Sequence, residues 1–437
     1  MRWNRVSETT LCADAGAIRI DLQAPLIFCA ATTLMLRSSR ATGLGCLSGP
    51  GGVLMRRLAV IVLTAVAVLS ANVAAAEPPG VTVLPRPGGE SPVGTTVLHL
   101  VDHARADPFE PDRPRELMVS VFYPAAKVDG HPRAHYVSTE LMPSLEQRFG
   151  VELPGLHTNS YTGAPVADGA HPVVLYSPGA GVTRLLGTGL AEDLASRGYI
   201  VVTIDHTYEA PAVEFPGGRI VAWEPAAQFD TALRQKYVEA RLPDVRFVLD
   251  SLERLARGTN PDAGQRTLPA GLDRGIDLDR IGMAGHSSGG YVAVESMHLD
   301  RRIDAAVNLD GQIGVDTAFG KSVTEGVDRP VLVMTSAQAE EVGDAHPSLD
   351  EFWRTSTGWK RQLTMRDSAH YDYTDFPLIV PTPARDAAKT YIGPVAADRA
   401  SALTRIYVAA MFDKFLRDRK DTALDRTPTE PEIVIVR

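Results

Sequence analysis

Short apolar runs alternate with amphipathic stretches along most of the chain. Runs at 173–176, 199–204, 281–284, 305–309, 331–334 and 362–365 are four to six residues long and are separated by segments long enough for a helix. Continuous apolar runs of that length predict strands buried on both faces. Between and after them Val245, Val248, Leu249, Leu252 and Leu255 recur at helical spacing, as do Leu403, Ile406, Tyr407, Ala410 and Met411. The pattern predicts an α/β fold: a mostly parallel central sheet with helices on both faces.

Two earlier strands are predicted at 97–101 and 117–123, the second alternating through Met118-Val119-Ser120-Val121-Phe122 until Pro124 stops it. Residues 129–169, with several Pro and Gly, predict surface loops and a short helix. No internal repeat or long linker divides the rest. One domain over residues 96–420 is therefore expected, with an exposed Pro- and Gly-rich lead-in at 77–95 and a tail at 421–437. The Pro- and Ala-rich stretch 377–400 is expected to border a pocket.

One segment departs from this pattern. Met55-Arg56-Arg57 precedes the apolar run 58–69, and Ala74-Ala75-Ala76 leads into Glu77-Pro78-Pro79. A charged start, an apolar middle too short for a bilayer span and small residues at the cut make residues 55–76 a secretory signal peptide. Such a signal begins at the initiating methionine. Residues 1–54 are accordingly read as a non-native upstream extension without a fold of its own, and export after cleavage near Ala76 as the destination. An uncleaved 58–69 segment anchoring the protein to a membrane is the competing reading.

All three cysteines, Cys12, Cys29 and Cys46, precede Met55, so the mature chain would hold no disulfide, cysteine nucleophile or cysteine-based metal site. With 44% apolar and 22% charged residues the composition suits a large core. The segment 1–76 carries seven basic and three acidic residues, so its removal takes the formal net charge from −9 to −13. A phosphate backbone is bound through a basic face, which makes nucleic acid an unsuitable partner. No metal, cofactor or obligate protein partner is expected.

The chemistry concentrates in Gly285-His286-Ser287-Ser288-Gly289-Gly290, directly after the run 281–284 and before a helical pattern. Strand, sharp turn and helix are the context of the nucleophile elbow of α/β-hydrolases, in which a serine Oγ projects from a strained turn. A purely structural Gly-rich turn is the bland alternative. The hydroxyl needs a base, and the base needs an orienting carboxylate, in the chain order Ser, Asp or Glu, His. His298 ends the helix after the elbow and His346 lies in an acidic loop, whereas His370 follows a strand's carboxyl end. Asp310 ends the run 305–309 and precedes Gly311, which puts it at the same rim. Asp304 precedes that strand, and Asp367, Asp372 and Asp375 lie too near His370 in sequence. A turn-capping role remains the alternative for Asp310. Ser287, Asp310 and His370 are the candidate triad. The backbone N–H groups of Ser288 and of Ala180, in Ser177-Pro178-Gly179-Ala180-Gly181, are the candidate oxyanion donors, with a simple tight turn as the alternative for that loop.

Taken together these motifs resemble the plasma-type platelet-activating-factor acetylhydrolase family of α/β hydrolases and its bacterial relatives. The elbow is similar to that family's Gly-His-Ser-Phe-Gly-Gly, with Ser288 in place of the aromatic. Ser368-Ala369-His370-Tyr371-Asp372-Tyr373-Thr374-Asp375-Phe376 resembles its Ser-x-His, aromatic, Asp-Phe pattern. Phe122-Tyr123-Pro124, the loop 177–181 and Gly198-Tyr199-Ile200-Val201 extend the likeness, and the final helix through Phe412-Asp413-Lys414 carries it to residue 418, while Pro178 replaces a histidine often found in the oxyanion loop. The resemblance implies calcium-independent hydrolysis of a carboxylic ester, a short sn-2 acyl group of a phospholipid being the best-known case. Its expected partners are a small-molecule or lipid ester and a lipid interface. The competing functions are a general lipase, a cutinase or polyester hydrolase and, outside enzymes, a lipid-binding pseudoenzyme. N-terminal sequencing of the exported protein is expected to begin near Glu77; peptides from upstream of Met55 would overturn the reading of residues 1–54.

Overall fold

The computed structural model describes residues 84–149, 155–223, 230–342, 346–380 and 388–437, so the segments 1–54 and 55–76 and the start of the lead-in lie outside it. Its framework is an eleven-stranded sheet. In chain order the strands are β1 (Val93–Ala106), β2 (Pro114–Pro124), β3 (Arg133–His135), β4 (His157–Thr162), β5 (His171–Ser177), β6 (Ile200–Asp205), β7 (Ile276–His286), β8 (Ala305–Leu309), β9 (Val331–Ser336), β10 (Lys360–Met365) and β11 (Ile433–Ile435). They lie side by side as β11-β10-β9-β8-β7-β5-β6-β2-β1-β4-β3. The six strands from β10 to β6 are parallel, with β2 antiparallel on β6 and β11 antiparallel on β10. This is the mostly parallel α/β-hydrolase sheet that the apolar runs predicted.

The central strands read as mostly apolar runs because helices cover both of their faces. The helices used below are α1 (Met142–Phe149), α2 (Thr188–Ser196), α3 (Thr231–Ala256), α4 (Ser288–Leu299), α5 (His346–Thr355) and α6 (Ala397–Leu416). Within β5, Val173 and Leu175 pack with α3 residues such as Val245 and Leu249 and with Val292 of α4. Val174 and Tyr176, one residue out of phase, pack with Leu194 of α2 and Leu403 of α6. Alternate residues thus enter two cores, as the two-residue period of a strand requires. Each such side chain withdrawn from water stabilises the fold by about 1.5–3 kcal/mol, so the central strands are its most resistant part.

Three regions depart from expectation. The loops predicted at 129–169 contain, besides the short helix α1, the strands β3 and β4, which extend the sheet beyond β1. Residues read as a tail instead supply β11; Gln362 N–H donates to Arg437 O (2.7 Å) and Val436 N–H to Gln362 O (2.9 Å). In the lead-in, Leu84 is buried, and the N–H groups of Gly88 and Gly89 donate to Asp193 (2.7 Å) and Ser196 (2.9 Å) of α2.

The passage from β7 into α4 requires backbone to lie on backbone. A Cβ on Gly289 would fall 1.9 Å from Ser177 O, and one on Gly285 would fall 2.1 Å from Gly289 O. Neither neighbour is a flexible side chain, so neither can swing aside. Gly289→Ala is expected to lower stability by about 3 kcal/mol, the upper end for overpacking, read as an earlier urea midpoint at unchanged m-value.

Candidate active site

The carboxyl edge of the sheet gathers the sequence-predicted residues. Ser287 follows β7, Asp310 follows β8, His370 lies five residues past the end of β10, and the loop 178–181 follows β5. Parallel strands in one sheet deliver their following loops to one edge, so residues far apart in sequence meet there. Ser287, Ser288, Ala180 and His370 are each partly exposed, while the strand residues behind them are buried.

Ser287 has φ 55° and ψ −124°, a conformation few side-chain-bearing residues adopt, and Asp310 has φ 56°. Strain of this kind costs about 1–3 kcal/mol and persists only where surrounding contacts over-determine it. Here they do. Ser287 N–H donates to Leu309 O (2.8 Å), Ser287 O accepts from Gly290 N–H (2.8 Å), and a Cβ on Gly311 would lie 2.2 Å from Ser287 O. Residues 287 and 310–311 are thereby held side by side. Ser288 opens α4, and the first N–H groups of a helix have no acceptor within the helix, which leaves that end electropositive.

His370 Nδ1 lies 2.7 Å from Asp310 Oδ2. The carboxylate also accepts from Ser336 N–H (2.5 Å) and Ser336 Oγ–H (3.0 Å). Burial alone would push the Asp310 carboxyl up, but the bond to His370, its charge and the Ser336 N–H together hold it below the ordinary carboxylate range. An ionised Asp310 can only accept, so it fixes the proton of His370 on Nδ1 and leaves the Nε2 lone pair available.

Behind this pair stands His286, which the sequence reading passed over. Its Nε2 donates to His370 O (2.8 Å), and the two rings stand 4.5 Å apart at 44°. Burial, and next the His370 charge, push its pKa down to about 3. Tyr371, next to His370, meets Phe376 at 5.2 Å and Tyr391 at 5.7 Å in an aromatic wall beside the site.

The other acidic and histidine candidates lie where their sequence positions suggested, or do other work. Asp304 accepts from Ile281 N–H (2.9 Å) at the opposite end of the sheet. Asp372 braces the histidine loop by accepting from Ala369 N–H (2.7 Å) and Gly393 N–H (2.8 Å). Asp375 accepts from Gly189 N–H (2.8 Å), and burial pushes it up to about 7. His298 meets Gly326 O (3.0 Å) and Glu325, and His346 opens α5 rather than sitting in a loop. The loop 178–181 lies against the serine: a Cβ on Gly179 would be 3.2 Å from Ser287 Cβ and 3.1 Å from His286 Nδ1.

Beneath that loop lies a buried polar cluster that the sequence reading missed. Arg241 of α3 donates to Pro178 O (2.6 Å), to Gly179 O (2.9 Å) and to Glu209 through Nε (2.7 Å) and Nη2 (2.5 Å). His206 joins Ser177 Oγ (3.0 Å) to Asp244 (2.9 Å), and Arg115 closes on Asp244 (2.7 Å). The signal was present in α3, where Arg241 and Asp244 interrupt the apolar stripe of Tyr237, Val238, Val245 and Val248.

Residues 145–429 match the family described as "Platelet-activating factor acetylhydrolase, isoform II". A "Probable 1-alkyl-2-acetylglycerophosphocholine esterase" of Arthroderma benhamiae is 27% identical over 417 residues, covering 85% of this chain and 98% of that protein. The platelet-activating factor acetylhydrolase of Cavia porcellus is 22% identical over 221 residues, covering 47% of this chain and 49% of its own. Among solved structures, a ferulic acid esterase from Streptomyces cinnamoneus superposes with a TM-score of 0.69 at 38% identity, over 82% of this chain and 99% of that one.

A base held neutral by burial binds fewer protons folded than unfolded, so its contribution to stability is complete above the unfolded value, about 6.5, and is lost as pH falls toward the folded one. For His286 that window runs from about pH 6.5 down to about 3. Asp375, raised to about 7, acts in the opposite direction, so the histidine is isolated by difference. The gap in urea stability between wild type and His286→Gln is expected to be largest above pH 6.5 and to shrink in acid, by at most about 1.4 kcal/mol per pH unit.

Proposed function

The chain belongs to the platelet-activating factor acetylhydrolase, isoform II, family, and from that premise we propose that it cleaves carboxylic esters through an acyl-enzyme on Ser287. It is an ester hydrolase, as the names of its relatives and its structural neighbour agree. The observation that carries the mechanistic reading is the 2.7 Å contact of His370 Nδ1 with the buried carboxylate of Asp310, beside a serine held at positive φ.

His370 Nε2 takes the Ser287 proton as Oγ bonds to the ester carbonyl carbon, and the carbonyl electron pair moves onto oxygen. The N–H groups of Ser288 and Ala180 receive that oxyanion. When the oxyanion collapses, the bond from carbonyl carbon to alkoxy oxygen breaks and the alcohol leaves with the proton from His370. Water then adds to the acyl carbon, giving its proton to His370. Release of the acid returns that proton to Ser287. Asp310 stays ionised throughout and keeps the imidazole in the productive tautomer.

Short acyl esters, including the sn-2 ester of a phospholipid, are the proposed substrates, in line with the activity for which the Arthroderma relative is named. A second reading, aromatic acyl esters, is favoured by the wall of Tyr371, Phe376 and Tyr391 beside His370 and by the ferulic acid esterase neighbour. Export belongs to the same proposal and rests on the leader at 55–76; among the described residues no helix is long and apolar enough to cross a membrane.

Ser287→Ala is expected to abolish turnover and fluorophosphonate labelling while leaving the unfolding transition in place. Turnover surviving in the purified variant would sink the acyl-enzyme reading. A panel of a short-chain phospholipid, p-nitrophenyl acetate and methyl ferulate separates the two substrate readings by kcat/KM.

A further inference from the structure

The buried guanidinium of Arg241 points to a residue that acts on the reaction without touching the substrate. A peptide unit is planar and trans, so its C=O and the N–H of the next residue point in opposite directions. Gly179 C=O and Ala180 N–H belong to one such unit. Arg241 Nη2 holds Gly179 O at 2.9 Å from inside the protein, and Nη1 holds the preceding Pro178 O at 2.6 Å. With the carbonyl drawn inward, the Ala180 N–H must face outward, on a loop whose Gly179 would, given a Cβ, touch Ser287 Cβ at 3.2 Å. We propose that Arg241 is a positioning residue that sets the direction of the Ala180 N–H as an oxyanion donor; this rests on the acyl-enzyme reading above.

The cluster around Arg241 is built to keep that fork still. Arg241 is 1% exposed. Glu209, equally buried, takes two of its N–H groups, so the guanidinium can neither rotate nor leave without stranding a carboxylate. Ser177, the residue that leads into the loop, is held from the other side. Asp244 accepts from His206 Nδ1, so Nε2 of the neutral ring accepts the Ser177 hydroxyl proton, and the Ser177 Oγ lone pair faces Arg241 Nη1 at 3.3 Å. Each side-chain donor of Arg241, Ser177 and His206 thus meets an acceptor. Burial, and next the Arg241 charge, push the His206 pKa down to about 4, which keeps the ring neutral at working pH. Pro178 adds a fixed φ at the start of the loop.

Arg241→Lys keeps a charge beside Glu209 but lacks a planar fork able to hold two carbonyls. In the full-length enzyme it is expected to lower kcat by about tenfold to a hundredfold, less than the 10²–10³ lost with an entire oxyanion donor, and to leave KM within about threefold. Affinity for a trifluoromethyl ketone, whose hemiketal with the serine carries an oxyanion, should fall by the same factor as kcat/KM. Ala180→Pro removes the N–H itself; in that background Arg241→Lys should cost nothing more. Should Arg241→Lys not fold, Ser177→Ala, which retains the Arg241 and Glu209 pair, should show a smaller loss with the same parallel between kcat/KM and ketone affinity. Should Ala180→Pro not fold, the ketone measurement decides. The inference is overturned if kcat falls while ketone affinity holds, if the losses add in the double variant, or if Arg241→Lys keeps full kcat while Ala180→Pro loses it. An unimpaired Ala180→Pro overturns it by another route, since the donor assignment beneath it has then failed.

Discussion

A serine can stand at positive φ in a folded chain only where the backbone around it leaves no other course. At the end of β7 that constraint is met by main chain touching main chain. Gly289 lies against Ser177 O, Gly285 against Gly289 O and Gly311 against Ser287 O, each so close that a methyl group would collide. Three of the four strands whose loops carry the proposed chemistry, β5, β7 and β8, are joined there with almost no side chain between them. What the site can do depends on this contact, because it fixes the direction of the hydroxyl relative to Asp310 and to the loop after β5.

The second organising feature is electrostatic. Two sets of charged and polar groups lie under the carboxyl edge, one around Asp310 and one around Asp244. In both, a carboxylate removed from water is kept ionised by its partners: Asp310 first by the bond to His370, Asp244 first by the Arg115 charge and then by the bond to His206. Desolvating such groups is unfavourable unless every lone pair and proton finds a partner, and geometry follows from that requirement. A buried carboxylate that needs several donors cannot shift without losing one, so Asp310 holds His370 in one orientation, and Asp244 with His206 and Arg115 forms a rigid floor. The helix α3 contributes charge to this floor from the stripe that elsewhere packs Val245 and Leu249 against the sheet.

What could be read from the sequence follows the same physics. The central strands were visible because burial on both faces favours mostly apolar runs, least clearly in β10, where Gln362 and Thr364 interrupt the pattern. The elbow was visible because its glycines answer to a steric need that other residues cannot meet. β4 was hidden. His157-Thr-Asn-Ser-Tyr-Thr162 carries no apolar alternation, since Ser160 and Asn159 point at the buried Glu192 instead of at a hydrophobic core. β11 was hidden by its three-residue length. Arg241 and Asp244 were passed over because charges on a helix ordinarily mark its solvent face, and only the sheet-side packing of α3 reverses that meaning. His286 stood inside the motif, but its contact with the main chain of His370 joins residues 84 positions apart, a distance over which local pattern carries no information.

The sheet's two ends have a bearing on how molecules of this protein behave in company. A broad sheet with long unpaired borders invites strands from neighbouring chains to dock along it. Among the described residues both outermost strands are only three residues long, Arg133–His135 on one side and Ile433–Ile435 on the other, each antiparallel to the strand it covers. β1, which β4 covers only over Val93–Thr95, is met further along by the segment 263–266, where Ala263 N–H donates to His99 O (2.8 Å) and Arg266 to Val97 O (3.1 Å). Ile435 and Val436 are left 43% and 44% exposed, yet the ladder beside them is too brief to template a continuous ribbon. Concentrated solutions should therefore resist fibre growth by strand addition, and any self-association is left to side-chain surfaces.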